Sequence, residues 1–496
     1  MYKKLLFFGF LLALSIGACR KEDNIIIASS ELRFSTDTIF LDTVFETIGS
    51  STYELKVYND SKDNISIPNI RLADPNSPYR LNINGTATNN ATNVEILPED
   101  SIYIFVEVNA GEINNSPEMV VSDQILFELN GKSQNVELVT LAKQAIFHFP
   151  TNFIVLGEGA NSIVIPYSII NCNSTWDATL PHVVYGYAVV DSGCTLTIDE
   201  GTDVHFHENS GLWVFDEGQL RIAPGANPGQ GDSVTFSSDR LEPFYENVPG
   251  QWGGVLGGLY IGQAAKAEIN NLVLKNAVNG LRTDSAVYSD QLVIRNSYIL
   301  NSSRTGLYAG YSSIDAQNLV IANQGLYGLY AFGGNYSFRH CSFVNYWTQG
   351  TRQDPSVFLT NFVDFQTENG VLRVSRDLES AYFGNCIIDG NNRQELALAD
   401  DEVALFNYNF NHVALKLDPD EEDRGFDVND ARFSQIFINR NNAFVSPGTN
   451  YFQLDTASQA VDQGNTTDGF LVPTDILGKI RNFNGLPDLG AYERQF

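Results

Sequence analysis

Basic residues are scarce in this 496-residue chain, with 30 Lys and Arg against 59 Asp and Glu and a formal charge of −29. That imbalance excludes nucleic acid, whose phosphates need basic surface. It also excludes adhesion to anionic lipid through a polybasic patch. Methionine is nearly absent, at 2 residues, and charged residues make up only 18%. Hydrophobic residues at 43% and aromatics at 12% supply a large core, which excludes an acidic disordered chain. What is abundant is Asn, at 48, and Gly, at 40. Together with many Val, Ile, Phe and Tyr, they predict an all-β protein with many turns. The length predicts two or three units.

The one long apolar run is N-terminal. Lys3 and Lys4 precede apolar Leu5 to Leu14, the order of a signal peptide and too short for a comfortable membrane span. Ile16-Gly17-Ala18-Cys19 resembles a bacterial lipobox. The resemblance implies that residues 1–18 are removed and that Cys19 carries lipid. Losing Lys3 and Lys4 would take the formal charge from −29 to −31. Arg20, Lys21, Glu22 and Asp23 resemble the surface-export signal of Bacteroidetes-type lipoproteins. Residues 19–31 then read as a tether at the outer membrane, exposed on the cell, with the lipid as sole membrane contact. Six Asp-Ser/Thr tripeptides, centred on Thr38, Thr43, Ser101, Ser233, Ser285 and Thr456, resemble O-glycosylation acceptors of the same bacterial group.

Residues 32–146 read as short strands divided by turns. Tyr53 to Tyr58 and Ile102 to Val108 alternate polar and apolar positions. Ile125–Leu129, Asn130-Gly131 and Val136–Val139 form a hairpin signal in which Asn-Gly would supply two positive-φ positions. About seven such strands predict an immunoglobulin-like sandwich. No Cys lies in this span, so no disulfide joins its sheets, and it holds no chemical constellation.

The next region, 147–445, is periodic. Asn271, Asn296, Asn318, His340, Asn361 and Asn385 open similar strings at intervals of 25, 22, 22, 21 and 24 residues. Gly280, Gly306, Gly328, Gly350 and Gly370 follow in step. A leucine-rich frame is lacking, and a parallel β-helix fits, with coils about 4.8 Å apart. On that spacing the six residues form a ladder of hydrogen-bonded turns, and the glycines provide positive φ at another corner. Cys172 and Cys194 are 22 residues apart, one coil if the helix already runs there, which would place them within disulfide reach. Cys341 and Cys386 would stand two coils apart and remain core thiols.

Cys194 to Ile198, Val204 to Phe206, Gly218 to Ile222, Val234 to Phe236 and Trp252 to Gly254 resemble the opening coils of right-handed parallel β-helix proteins of the pectin-lyase-like superfamily. The resemblance covers about 180 to 415. It implies fold but little about activity, because one solenoid hosts lyases, hydrolases, tailspikes and adhesins. Residues 446–496, with Thr474-Asp475-Ile476, Arg481 and Pro487 to Glu493, resemble the closing segment of secreted bacterial β-helix proteins. That segment is expected to cap the last coil, with Asp475, Arg481, Asp488 and Glu493 as internal ion pairs.

Motifs of catalysis are missing. Pectate-lyase and polygalacturonase relatives use a calcium-binding acidic set beside a base, or three Asp with Gly-His-Gly and Arg-Ile-Lys strings, and none of these strings is present. Asp418, Asp420, Glu421, Glu422 and Asp423 could collect Ca²⁺ but read first as a solvated loop. His205 and His207 share a strand face without a third ligand. No metal site and no cofactor is assigned. What the repeat does place outward, if its Leu residues point inward, is a column of Arg282, Tyr308, Tyr330 and Arg352. Its rings and guanidinium groups could stack on sugars and bind acidic glycan carboxylates. The alternative is a self-stacked ladder protecting the sheet. The expected function is a non-catalytic surface lipoprotein presenting a wall to a glycan or a surface protein. A polysaccharide lyase or glycoside hydrolase, or a structural adhesin, are the alternatives.

Overall fold

The computed structural model describes residues 25–113, 116–157, 159, 162–367, 370–482 and 485–495. The signal peptide 1–18, Cys19 and the charged Arg20 to Asp23 motif lie outside the described residues. The chain divides into two compact units after Gln144.

The first unit is an immunoglobulin-like β-sandwich. One sheet runs Ile25–Ile27, Asn64–Leu72, Glu118–Leu129, Lys132–Lys143 and Thr38–Phe45, with Asn90–Ile96 also paired to Asn64–Leu72. The other runs Arg33–Phe34, Tyr53–Tyr58, Ser101–Val108, Tyr79–Ile83 and Thr86–Ala87. Two-residue alternation builds it. In Ser101–Val108, Ile102, Ile104, Val106 and Val108 are buried while Tyr103 and Phe105 are exposed. The Asn130-Gly131 turn closes Glu118–Leu129 onto Lys132–Lys143. Only Gly131 has positive φ, 78°, so the turn uses one left-handed position where the sequence suggested two.

The second unit is a parallel β-helix. A ten-stranded front sheet runs from Asn152–Leu156 to Leu396–Ala399. A seventeen-stranded sheet wraps the rest of each coil and bends at one residue per turn. That residue is Asn271, Asn296, Asn318, His340 and Asn385, with φ of 51°, 49°, 51°, 51° and 53°. His412 and Gln435, both at 54°, continue the series. Asn tolerates this left-handed conformation best among non-glycine residues.

Asn361 does not belong to the series. Its side chain is buried and donates to Asp400 Oδ1 (2.7 Å) and the Ala404 carbonyl (3.1 Å), pinning a loop at the front sheet. The 45 residues from His340 to Asn385 are a single coil. Its length comes from an inserted hairpin, Phe362–Thr367 with Gly370–Ser375, that forms its own two-stranded sheet. Cys341 and Cys386 therefore stand on adjacent coils, not two apart. Both are buried and free. Cys172 and Cys194 are joined in a disulfide, with Cα atoms 4.8 Å apart.

The glycine series also differs from the one the spacing suggests. Gly280, Gly306 and Gly328 stack, but they are not left-handed. Space is what they need. A Cβ on Gly306 would lie 2.7 Å from Ile321 Cγ2 and 2.9 Å from the Gly328 carbonyl. Ser356, not Gly350, takes the next slot, and Gly370 belongs to the inserted hairpin.

The C-terminal segment lies along a flank of the solenoid rather than over its last coil. Phe452, Leu454, Ile476, Leu489, Ala491 and Tyr492 pack with Leu300, Val320, Ala322, Val344, Ile387 and Ala414, which come from successive coils. Polar groups dock it onto the turn ladder. Asn318 Oδ1 accepts from Arg481 Nη2 (2.9 Å), and Asn385 Oδ1 accepts from Asn465 N (2.7 Å). The cover thereby satisfies buried amides that neighbouring coils leave open. Among the described residues no helix is long and apolar enough to cross a membrane.

Candidate functional site

The outward face of the front sheet carries one continuous row. Six of its strands begin with a small residue, an inward aliphatic and an outward large side chain. The register aligns Trp213, Tyr260, Arg282, Tyr308, Tyr330 and Phe358 on consecutive coils. Their neighbours Leu212, Leu259, Leu281, Leu307, Leu329 and Val357 are all fully buried. Alternation along each strand is what turns the row outward.

The rings stack along the coil axis. Trp213 and Tyr260 have centroids 5.9 Å apart, and Tyr308 and Tyr330 lie 5.3 Å apart at 9°. Tyr330 meets Phe358 at 5.2 Å. Arg282 fills the gap between the two aromatic blocks, 5.1 Å from the Tyr260 centroid and 5.5 Å from that of Tyr308. Its guanidinium also pairs with Asp284 at 2.7 Å. Stacking consumes the ring faces, so the row shows solvent its ring edges and hydroxyls. Burial raises the phenols of Tyr308 and Tyr260, and takes Tyr330 up to about 12. At neutral pH they are protonated, able both to donate and to accept hydrogen bonds.

Arg352 is not in the row. Phe358 occupies the expected position, because residues 346–356 form a long loop ahead of their strand. Arg352 turns inward and forms a buried bidentate pair with Glu395: Nη1 donates to Oε2 at 2.8 Å and Nη2 donates to Oε1. Nη2 also donates to the Asn345 carbonyl at 2.9 Å. Burial raises the Glu395 carboxyl, and Arg352 opposes that shift. This arginine holds a loop and offers nothing to a ligand.

Trp213, Tyr260 and Phe358 escaped the sequence reading. Their signal was present, since Gly211-Leu212-Trp213 and Gly258-Leu259-Tyr260 repeat the pattern of Gly306-Leu307-Tyr308. The 47-residue step created by the 239–258 loop hid it.

The turn ladder is real only in part. Asn318 donates to Asn296 Oδ1 (2.8 Å), and Asn385 is bonded to His340 Nε2 (3.0 Å). Asn296 donates to Asn270 rather than Asn271, at 2.9 Å, while Asn271 accepts from Ser233. The remaining candidates are spent locally. His207 meets Asp239 at 2.7 Å and stacks on Tyr185, while His205 Nδ1 lies 2.9 Å from the Ser238 carbonyl. Asp418, Asp420 and Asp423 converge within 4.8 Å. Arg393 already binds Asp418 (2.8 Å) and Asp420 (3.1 Å).

In the C-terminal cover, Arg481 lies 3.4 Å from Glu493 Oε2 with both side chains buried. Asp475 accepts from the N–H groups of Leu477, Lys479 and Glu493, and Asp488 from those of Asp462 and Arg494. Burial pushes Asp488 up to about 6 and Glu493 up to about 7. Glu493 Oε2 in turn accepts from the Asp488 N–H (2.9 Å), and Asp468 binds Arg339 and Tyr382 of the solenoid, so these carboxylates are spent on holding the segment, which makes this a structural clasp.

No family model matches the chain, and no curated protein sequence does. Among solved structures it is similar to the catalytic domain of a GH87 α-1,3-glucanase in complex with nigerose. That likeness is 9% identical over 75% of this chain and 81% of the other, with a TM-score of 0.16. It is also similar to the Salmonella enterica SafA pilin in complex with the SafB chaperone, 11% identical over 29% and 70%, TM-score 0.16. The match to Vibrio cholerae VesB protease, 12% identical, spans 23% of this chain and 31% of that one, TM-score 0.17.

Proposed function

We propose that this is a non-catalytic, lipid-anchored cell-surface protein of the right-handed, pectin-lyase-like type, whose solenoid presents the front-sheet row to a glycan chain. The observation that carries the reading is the register of Trp213, Tyr260, Arg282, Tyr308, Tyr330 and Phe358 across six coils. A repeating polymer is matched by a repeating surface. With Arg352 buried and Arg282 neutralised by Asp284, the row favours a neutral saccharide over a uronate. Tyr hydroxyls along the row exchange hydrogen bonds with sugar hydroxyls.

The test is a glycan array probed with the purified chain and with a Tyr308→Ala/Tyr330→Ala variant. Retention of neutral glycans by the parent and its loss in the variant supports the reading. Equal retention by both sinks it. Appearance of new reducing ends or unsaturated products during incubation would replace it with an enzymatic one.

A further inference from the structure

The first edge of the front sheet is bare. Strands Asn152–Leu156 and Ile163–Ile169 form an antiparallel hairpin, and the second of them pairs in parallel with Tyr187–Val190. Among the described residues nothing pairs with the outer side of Asn152–Leu156. All five of its residues are exposed, with Phe153 at 71%, Ile154 at 37% and Val155 at 49%. The partner strand adds Val164 at 58%. Neither strand contains a charged residue, in a chain carrying −29.

Exposed strand edges are normally guarded by a charge, a proline or a bulge. This edge has none: Pro166 lies on the inner strand, opposite Phe153. Its chemistry selects the partner. A bilayer satisfies apolar side chains but not a row of open backbone N–H and C=O groups, so lipid does not fit. Another β-strand satisfies both.

We propose that two copies of the chain associate edge to edge through Asn152–Leu156, joining their front sheets across a two-fold axis at Ile154. Antiparallel pairing about Ile154 sets Phe153 against the partner's Val155 and closes the assembly, because each edge is used once. The uncharged strands let two strongly acidic molecules approach where repulsion is least. Five residues a side make a small interface, so dimerisation is expected to be concentration-dependent.

Sedimentation velocity from about 1 to about 100 µM tests this. The expected result is a monomer–dimer equilibrium that Val155→Lys shifts to monomer, with unchanged circular dichroism showing that the variant folds. In a Cys19→Ser background, Ile154→Cys should cross-link to itself on mild oxidation, since directly opposed Cα atoms lie about 4.5–5.5 Å apart. Phe153→Cys should not, because its mate is offset by two positions. A monomer throughout, a dimer indifferent to Val155→Lys, or cross-linking at Phe153→Cys alone would each overturn the proposal.

Discussion

The chain treats two of the solenoid's long outer faces differently. The flank is covered by its own C-terminal segment, while the outward row of the front sheet keeps its side chains partly exposed. On the flank, ladder residues bond to the cover: Asn318 to Arg481 and Thr474, and Asn385 to Asn465. On the front sheet the row bonds to itself through stacked rings and one caged guanidinium. Repetition supplies a ladder on either face. Whether that ladder is structure or surface is decided by what lies over it. A covered face fixes its polar groups in one arrangement, and an open face keeps edges and hydroxyls for something else.

Breaking the cover should have the largest effect. Arg481 is buried among Glu493, Asp475 and Asp488, so Arg481→Leu leaves carboxylates buried without their cation. A loss of about 3–5 kcal/mol is expected in denaturant unfolding. Adding Glu493→Leu should recover part of it, because the orphaned charge is then removed as well.

The cover should also respond to pH, with a sign opposite to ordinary acid denaturation. Asp488 and Glu493 sit near 6 and 7 when folded, above their unfolded values near 4. Over that interval the folded chain binds more protons than the unfolded one. Stability from these groups is therefore full below about pH 4 and is lost as pH rises through about 7, on the order of 3–4 kcal/mol each. Unfolding midpoints at pH 5 and pH 8 check this, and Asp488→Asn should flatten the difference.

Much of this architecture could be read in advance, because each coil repeats its demand for a left-handed residue at one corner. Asn271, Asn296, Asn318, His340 and Asn385 show that demand directly. The reading failed where length was borrowed from insertions. The hairpin at 362–375 made one coil look like two, and so misplaced Asn361 and the spacing of Cys341 and Cys386. It also put Arg352 on the surface, since nothing local announces that Glu395, a coil away, would draw it inside. The position of the C-terminal cover was illegible for a similar reason. Its contacts with Asn318 span up to 163 residues and follow from shape, not spacing.

The glycine column separates packing from conformation on the open face. Gly306 needs space rather than positive φ, so Gly306→Ala should cost about 1–3 kcal/mol by forcing Ile321 and the Gly328 strand apart. At Gly131, which has positive φ of 78° but open space around its Cβ, the cost of Ala is backbone strain instead. Thermal melts of the two variants distinguish these causes. Only the first should also disturb the stacking of Tyr308 on Tyr330, read by near-ultraviolet circular dichroism.

The smallest effect on stability should come from the row itself, and there the comparison is sharpest. Tyr330 is half-buried between Tyr308 and Phe358. Tyr330→Leu keeps apolar cover over the sheet while removing a hydroxyl and a stacked ring, so a loss under about 1 kcal/mol is expected. If the row merely shields the sheet, nothing else should change, as on the covered flank where side chains serve to hold the cover. If the row is a binding surface, glycan retention should drop in a variant whose melting point barely moves. Stability and binding would then separate at Tyr330, whereas at Arg481 any loss of binding should track loss of the fold.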